Sequence, residues 1–402
     1  MTGKKTPKMF LRRKRRKDVF GVRRNPERGE TLIFSGRDVD VLRLLYWCQN
    51  IDPNALKHIA TEIEMKNLSY LGLVKRHEKS DTLTITAKGK SFLQMILGDD
   101  IPSLMISYHG TAIERRIRLS RLMLTAYHAG IDVFITKEED VLKRSTMFLT
   151  AIMRTRGHNP WGSARVGAIA HLGSVYYAIH YVCPGIGRIA INDELNAFYN
   201  HTNFGREIKR AFIFTGQTYT EVLGGLEEKD SKQDTKLVCY GEAYRSLNIP
   251  IHLLSCDETG VRQLQIMSVP DYRQKLARLM LKSAFQPPPD DVLEWDALYQ
   301  GNPFVIGADM DLRRIDTAIK IAEERGQLPI SLAALDGQGD AVLLSRYKDT
   351  GLAVVYKVTE RVLTELLGYP PSFYLPPRTQ YLTKKGDVID APLIQSIGKT
   401  GG

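Results

Sequence analysis

Cysteine is scarce in this sequence: four in 402 residues, Cys48, Cys183, Cys239 and Cys256, with no Cys-x-x-Cys pair. That spacing excludes a disulfide framework and the common zinc clusters, and it suits a reducing cytoplasm. No His-x-His occurs among the nine histidines, so the strand-borne metal cluster that a tyrosine nicking enzyme needs is missing. A Gly-Lys-Ser/Thr loop leading into a helix is absent as well; "GKTGG" stands at the chain end with nothing after it, so no nucleotide cofactor is implied. Long apolar runs are lacking behind the charged N-terminus, which argues against a secretory signal. The one uncharged stretch of bilayer-spanning length, residues 166–183, contains Gly, Ser, His and repeated Tyr around "HLGS". It reads as two buried strands joined by a tight turn, and no membrane partner is expected.

Acidic residues are nearly missing from the first 24 positions. Eleven Lys or Arg stand there against Asp18 alone, so this arm carries +10 of the chain's formal +11. The remaining 378 residues are close to neutral. Such an array repels itself, and residues 1–28 are expected to be a disordered basic arm. Phosphates would neutralise it best, with release of counterions, so Arg12, Arg13, Lys14, Arg15, Arg16, Lys17, Arg23 and Arg24 are candidate DNA contacts. Charge does not distinguish DNA from RNA.

Residues 29–100 predict three short helices and a hairpin. Ser35 is a candidate N-cap, followed by Val39, Leu42, Leu45 and Tyr46 at helical spacing. Asp52 and Pro53 predict a second helix start, and "TEIEMKNLSYLGLV" a third helix with Gly72 as its stop. Leu73 to His77, the polar "EKSD" and alternating Thr82 to Thr86 form the hairpin, and a last helix opens at Ala87. This order predicts a winged helix-turn-helix. In that fold Lys57, Lys66 and Asn67 would approach a groove or backbone, and Lys75, Arg76, His77 and Lys79 would line the wing. Glu62 and Glu64 make the recognition helix less basic than many.

Beyond residue 100 the patterns alternate between strand and helix, so the fold class expected is α+β: the winged helix, then a mixed α/β domain over 101–285. A helix is predicted over about 111–128, decorated by Arg115, Arg116, Arg118 and Arg121 as a solvated face or a second phosphate track. "AYRSLNIPIHLLSCDETGVRQLQIM" predicts a helix, a strand ending at Ser255, a turn at Asp257 to Gly260 and another strand. "QPPPDD", residues 286–291, predicts a stiff linker. A small α+β module is expected over 292–370, with a hairpin at "DGQG", and an extended tail over 371–402.

Ser163, Arg165, Gly167 and Tyr176, followed by "IPIHLLSCDETGVRQL" with Asp257, Gly260 and Leu264, resemble the replication-relaxation type proteins of Gram-positive plasmids and integrative elements. The resemblance covers roughly residues 30–280 and has no catalytic signature. It implies a DNA-associated role on a mobile element, in replication, mobilisation or transcription control. Two other readings stand beside it. One is a metal-dependent nuclease of restriction type, which needs paired carboxylates and a lysine; Asp193, Glu194, Glu207 and Lys209 fit that outline, although Glu-x-Lys here precedes the apolar run. The other is a non-catalytic, nucleic-acid-coating structural protein of a phage or plasmid. The pattern favours a body without catalysis that recruits a protein partner or self-associates.

Overall fold

The computed structural model describes residues 36–369 and two short strands after them, with the longer omissions at 154–166, 183–197, 199–208, 228–240 and 340–345. The protein is a mixed α+β structure with helices and several sheets. Helix α1 (Gly36–Cys48) buries Val39, Leu42 and Leu45, the positions its spacing predicts. A 3-10 turn at Ala55–His58 replaces the second helix expected after Asp52. Asp52 caps the Asn54 N–H at 2.9 Å, yet its other oxygen faces Arg121, and the segment closes after a single turn. Helix α2 (Glu62–Tyr70), strands β1 (Val74–His77) and β2 (Thr82–Ile85), and helix α3 (Ala87–Leu97) follow.

Helix α4 (Gly110–His128) leads into a five-stranded sheet of β3 (Thr146–Leu149), β4 (Ala168–Leu172), β5 (Val175–Tyr181), β6 (Lys209–Gly216) and β7 (Ile251–Ser255). The strands lie in sequence order, antiparallel through β5 and parallel from β5 to β7. The turn expected between the two uncharged strands is present, with Gly173 at φ +60°. Helix α5 (Tyr219–Glu227) connects β6 toward β7.

After Ser255 the chain forms helix α6 (Glu258–Met267), where alternation suggested a strand. Asp257 accepts from the Gly260 N–H at 3.0 Å and starts the helix, and Val261, Leu264 and Met267 share its buried stripe. Helix α7 (Tyr272–Leu281) follows, and residues 286–291 then run on to β8 (Ala297–Tyr299), with Gln286 bridged to Leu298. Strand β9 (Asn302–Ile306), helix α8 (Leu312–Glu324), β10 (Ile330–Ala334), β11 (Ala353–Lys357) and helix α9 (Glu360–Leu367) complete a four-stranded sheet in the order β11-β10-β9-β8. The hairpin expected at "DGQG" is not formed. Strands β10 and β11 are parallel, and a parallel pair needs a crossover, which residues 335–352 supply. Within the predicted tail, β12 (Tyr381–Leu382) and β13 (Val388–Ile389) pair antiparallel.

One connected cluster of buried apolar side chains reaches from Val39 in α1 to Ala353 in β11. A second fills the space between the four-stranded sheet and α6, α7 and α9, with Ile266, Leu276, Phe304 and Leu363 at its centre. Among the described residues no helix is long and apolar enough to cross a membrane.

A buried polar knot joins the two sheets. Asp309, fully buried in the loop between β9 and α8, accepts from the Tyr272 hydroxyl and the Arg273 Nε, each at 2.6 Å. Its backbone carbonyl accepts from His252 Nδ1 at 3.0 Å and from Gln263 Nε2 at 2.9 Å, while the Leu253 N–H donates to Met310 at 3.1 Å. Burial alone would favour the neutral acid; the Arg273 and Arg314 guanidiniums outweigh it and hold Asp309 well below the usual carboxylate range. A depressed pKa stabilises the fold above the unfolded value near ~4, and that contribution is lost as pH falls toward the folded value. Asp309→Asn is expected to lower unfolding free energy by about 3 kcal/mol at neutral pH, by taking from Arg273 its nearest counterion and leaving only Asp311, at 3.7 Å. Urea titrations should show that loss at pH 7, together with a shallower decline on acidification than the unaltered chain shows.

Candidate nucleic-acid interface

The sequence places a capping box at the start of α2. Thr61 accepts from the Glu64 N–H, and the Glu64 carboxylate accepts from the Thr61 N–H at 2.6 Å. Glu64 is therefore committed to its own helix end. Glu62, one turn before Lys66, forms an i,i+4 ion pair with it. The helix ends as the glycine predicts: Gly72 adopts φ +72°, its N–H donates to Ser69 and the Leu73 N–H donates to Leu68, each at 3.0 Å.

That stop turns the chain directly into the hairpin. Val74 pairs with Ile85, Lys75 with Thr84, Arg76 with Leu83 and His77 with Thr82. Ile51 adds a third strand position, exchanging two backbone hydrogen bonds with Leu83 at 2.8 and 3.1 Å. Thr86 then caps α3, accepting from the Gly89 N–H at 3.0 Å and donating to Gly72 at 2.6 Å, so one hydroxyl joins the end of α2 to the start of α3.

Helix α1 is the face by which this unit rests on the rest of the protein. Arg43 lies 3.7 Å from the centre of the Phe134 ring, Trp47 donates to the Ile135 carbonyl, and Tyr127 donates to Asp40 at 2.7 Å. Burial lowers the Arg43 pKa, and Asp40 partly offsets this. From α4, Arg116 donates to Gln49 at 2.8 Å, and Arg121 reaches both Asp52 and Gln217. Two of the arginines expected as a solvated face or phosphate track are thus committed to the seam. The faces left to solvent are those of α2, the hairpin and the outer side of α3.

Lys66 and Asn67 lie on α2 and Lys75 to His77 on the hairpin, while Lys57 lies on the 3-10 turn before them. Lys57, Lys66, Asn67, Lys75 and Arg76 are exposed, and His77 is half-buried with Nδ1 2.9 Å from Ser80 Oγ. Arg76 makes a forked contact across the turn to Asp81, which raises the arginine and lowers the carboxylate. Sequence reasoning misses this pair, because Asp81 reads only as a turn residue; its φ of +51° fits that role too. Lys88, donating to the Leu71 carbonyl at 2.7 Å, is missed as well.

Lys79, the arm residues Arg12, Arg13, Lys14, Arg15, Arg16, Lys17, Arg23 and Arg24, and the nuclease candidates Asp193, Glu194 and Glu207 lie outside the described residues, as do Ser163 and Arg165. Lys209 opens β6, exposed, opposite Val175. Strands β4 and β5 carry no carboxylate, and among the described residues no group of three His, Cys, Asp or Glu is placed to hold a metal. Tyr176, Tyr177 and Tyr181 are packed in the sheet, as expected. Comparison with protein-family models, curated proteins and solved structures finds nothing that matches.

Gly89 is the tightest point of the unit: a Cβ there would stand 2.3 Å from the Leu73 carbonyl oxygen and 2.7 Å from Ile85. Glycine to alanine inside a helix ordinarily gains about 1 kcal/mol. Here the sign should reverse. Gly89→Ala is expected to lower the melting temperature and to weaken the hairpin's amide-exchange protection, both measurable on the purified chain.

Proposed function

We propose that the chain is a DNA-binding protein in which residues 29–100 form a winged helix, with α2 in the major groove and the β1–β2 hairpin along a phosphate backbone. The observation that carries this reading is the closure of Ile51 onto Leu83, which fixes the hairpin beside an exposed α2 in the order helix, turn, helix, hairpin, helix. Nine residues of α2 span about 13 Å, comparable with a groove about 12 Å wide. Lys75 and Arg76 on the hairpin suit phosphate; Lys66 and Asn67 on α2 suit base edges. The basic arm supplies the long-range attraction, since the ion pairs Lys66–Glu62 and Arg76–Asp81 offset much of the positive charge of the interface itself. On the resemblance drawn from the sequence, the DNA is that of a mobile element and the task is replication, mobilisation or transcription control.

Fluorescence anisotropy with duplexes across a salt series tests this. Removing residues 1–24 should cut affinity strongly and flatten the salt dependence, by about 0.9 in the log–log slope for each phosphate that the arm had neutralised. An unchanged slope would sink the arm as the phosphate contact. Asp81→Asn, which keeps a residue suited to φ +51° and releases Arg76, should strengthen binding about equally on all sequences. Asn67→Ala should instead change the preference among sequences, by about 1–3 kcal/mol at one position.

A further inference from the structure

Away from this interface, a cavity of about 690 Å³ opens at the amino-terminal ends of β5, β6 and β7, where they meet the start of α7. Its size suits a drug-sized molecule. None of its lining comes from α2 or the hairpin, so the inference is independent of the DNA reading.

The chemistry inside is one-sided. His252 is 3% exposed, and its Nδ1 lies 3.0 Å from the Asp309 carbonyl. A carbonyl only accepts, so the proton sits on Nδ1, and Nε2 carries the lone pair. Among the described residues, no group hydrogen-bonds that second nitrogen. Tyr177 packs edge-on against the same ring, centroids 5.5 Å apart, and its hydroxyl likewise has no partner among the described residues. Burial raises the Tyr177 pKa, so the phenol stays a donor. Arg273 uses Nε and Nη2 on Asp309, and Nη2 also lies 3.7 Å from Asp311, which leaves Nη1 for a ligand. Lys209 brings an ammonium to the rim.

Of the two acids in the wall, one is committed elsewhere. Asp296 is held by the Arg314 guanidinium at 3.0 Å and by the Ile306 N–H at 2.6 Å. The other acid of the lining, Asp271, is exposed at the mouth. Leu172, Val175, Met267 and Val269 add apolar side chains to the lining.

We propose that this cavity binds a phosphomonoester carrying a ring-sized organic group. The phosphate lies among Arg273 Nη1, Lys209, the Tyr177 hydroxyl and His252 Nε2, whose lone pair accepts from the hydroxyl of the phosphate monoanion; the organic group lies along the apolar residues. A guanidinium anchored by a buried carboxylate presents its remaining nitrogen in a fixed direction, and the charge makes its hydrogen bond to a phosphate oxygen a strong one. Two sources share that chemistry, a free nucleotide and the 5′-phosphorylated end of a strand.

Isothermal titration calorimetry of the full chain decides it, with inorganic phosphate, a nucleoside 5′-monophosphate, the same nucleoside without phosphate, and a short 5′-phosphorylated strand. The monophosphate should bind one per chain and at least about tenfold tighter than inorganic phosphate, with no heat from the nucleoside. Lys209→Ala and His252→Asn should each weaken it about tenfold or more, the size of one charge-assisted hydrogen bond. Asparagine puts its amide nitrogen where Nδ1 stands, so the bond to Asp309 survives and only Nε2 is removed; Lys209, exposed, leaves the fold untouched. Saturable binding by the strand alone, abolished in the same variants, would assign the phosphate to a nucleic-acid end. Binding indifferent to both substitutions would belong to the basic arm and overturn the proposal, as would no saturable binding by any phosphate-bearing probe.

Discussion

A carboxylate with no solvent exposure cannot stand alone in a protein interior, and Asp309 is such a group. Its partners come from two directions: Tyr272 and Arg273 on α7 reach the side chain, and His252 on β7 with Gln263 on α6 reach its carbonyl. The loop that follows β9 is thereby pinned to the end of the neighbouring sheet. Apolar packing alone would tolerate small slips between the two sheets, since it is not directional. Hydrogen bonds to a buried charge do not, because any slip leaves the charge unpaired. The same constraint fixes the Arg273 fork and the His252 tautomer, so the walls of the amino-edge cavity follow from the junction.

The N-terminal unit is organised in the opposite way. Its deep contact surface is α1, where Trp47, Arg43 and Asp40 meet Phe134, Ile135 and Tyr127. The ion pairs of α2 and the hairpin are exposed and local, so that surface has shape and a weakened net field. Exposed pairs of this kind contribute little to stability. On the DNA-binding reading proposed above, exchanging them for phosphates costs little, because each partner given up is already solvated. Field and shape are therefore separated along the chain: the arm has the charge and the folded unit has the geometry.

Much of this unit was legible in the sequence, since its signals are local. Gly72, Thr86 and the alternation from Thr82 each act within a few residues of themselves, and the hairpin formed within one residue of its expected bounds. Helix α6 reads as a strand because "LQI" alternates and because Gln263 and Gln265 look solvent-facing. Both are buried, and Gln263 is satisfied by Leu253, Asp309 and Tyr219. Buried polar residues erase the contrast on which periodicity depends. The crossover after β10 was hidden likewise: Gln338 in "DGQG" is a buried plug bonded to Leu335, Ala308 and Tyr219, not the tip of an exposed turn. The cavity could not be read at all. Tyr177, Lys209, His252 and Arg273 come from four separate segments, each an ordinary residue in its own context.

The edge at which that cavity opens also follows from the architecture. Open parallel sheets usually bind ligands at a crevice outside the carboxyl ends of the strands, where the strand order reverses. The five-stranded sheet here runs in sequence order and has no reversal. Its carboxyl edge is instead occupied: Asp52 and Asn54 of the N-terminal unit share a cleft with Gln217, Cys256 and Asp257, which follow β6 and β7, and Arg121 spans it. Cys256 in that cleft has its thiol pushed up to about 12 by burial, so it is inert packing there. With one edge given to the seam, the amino edge is where groups from three strands and α7 can converge unobstructed. The N-terminal unit meets the body through α1 and, at the carboxyl edge, through Arg121, and the length of β6 and β7 separates Arg121 from His252 and Lys209.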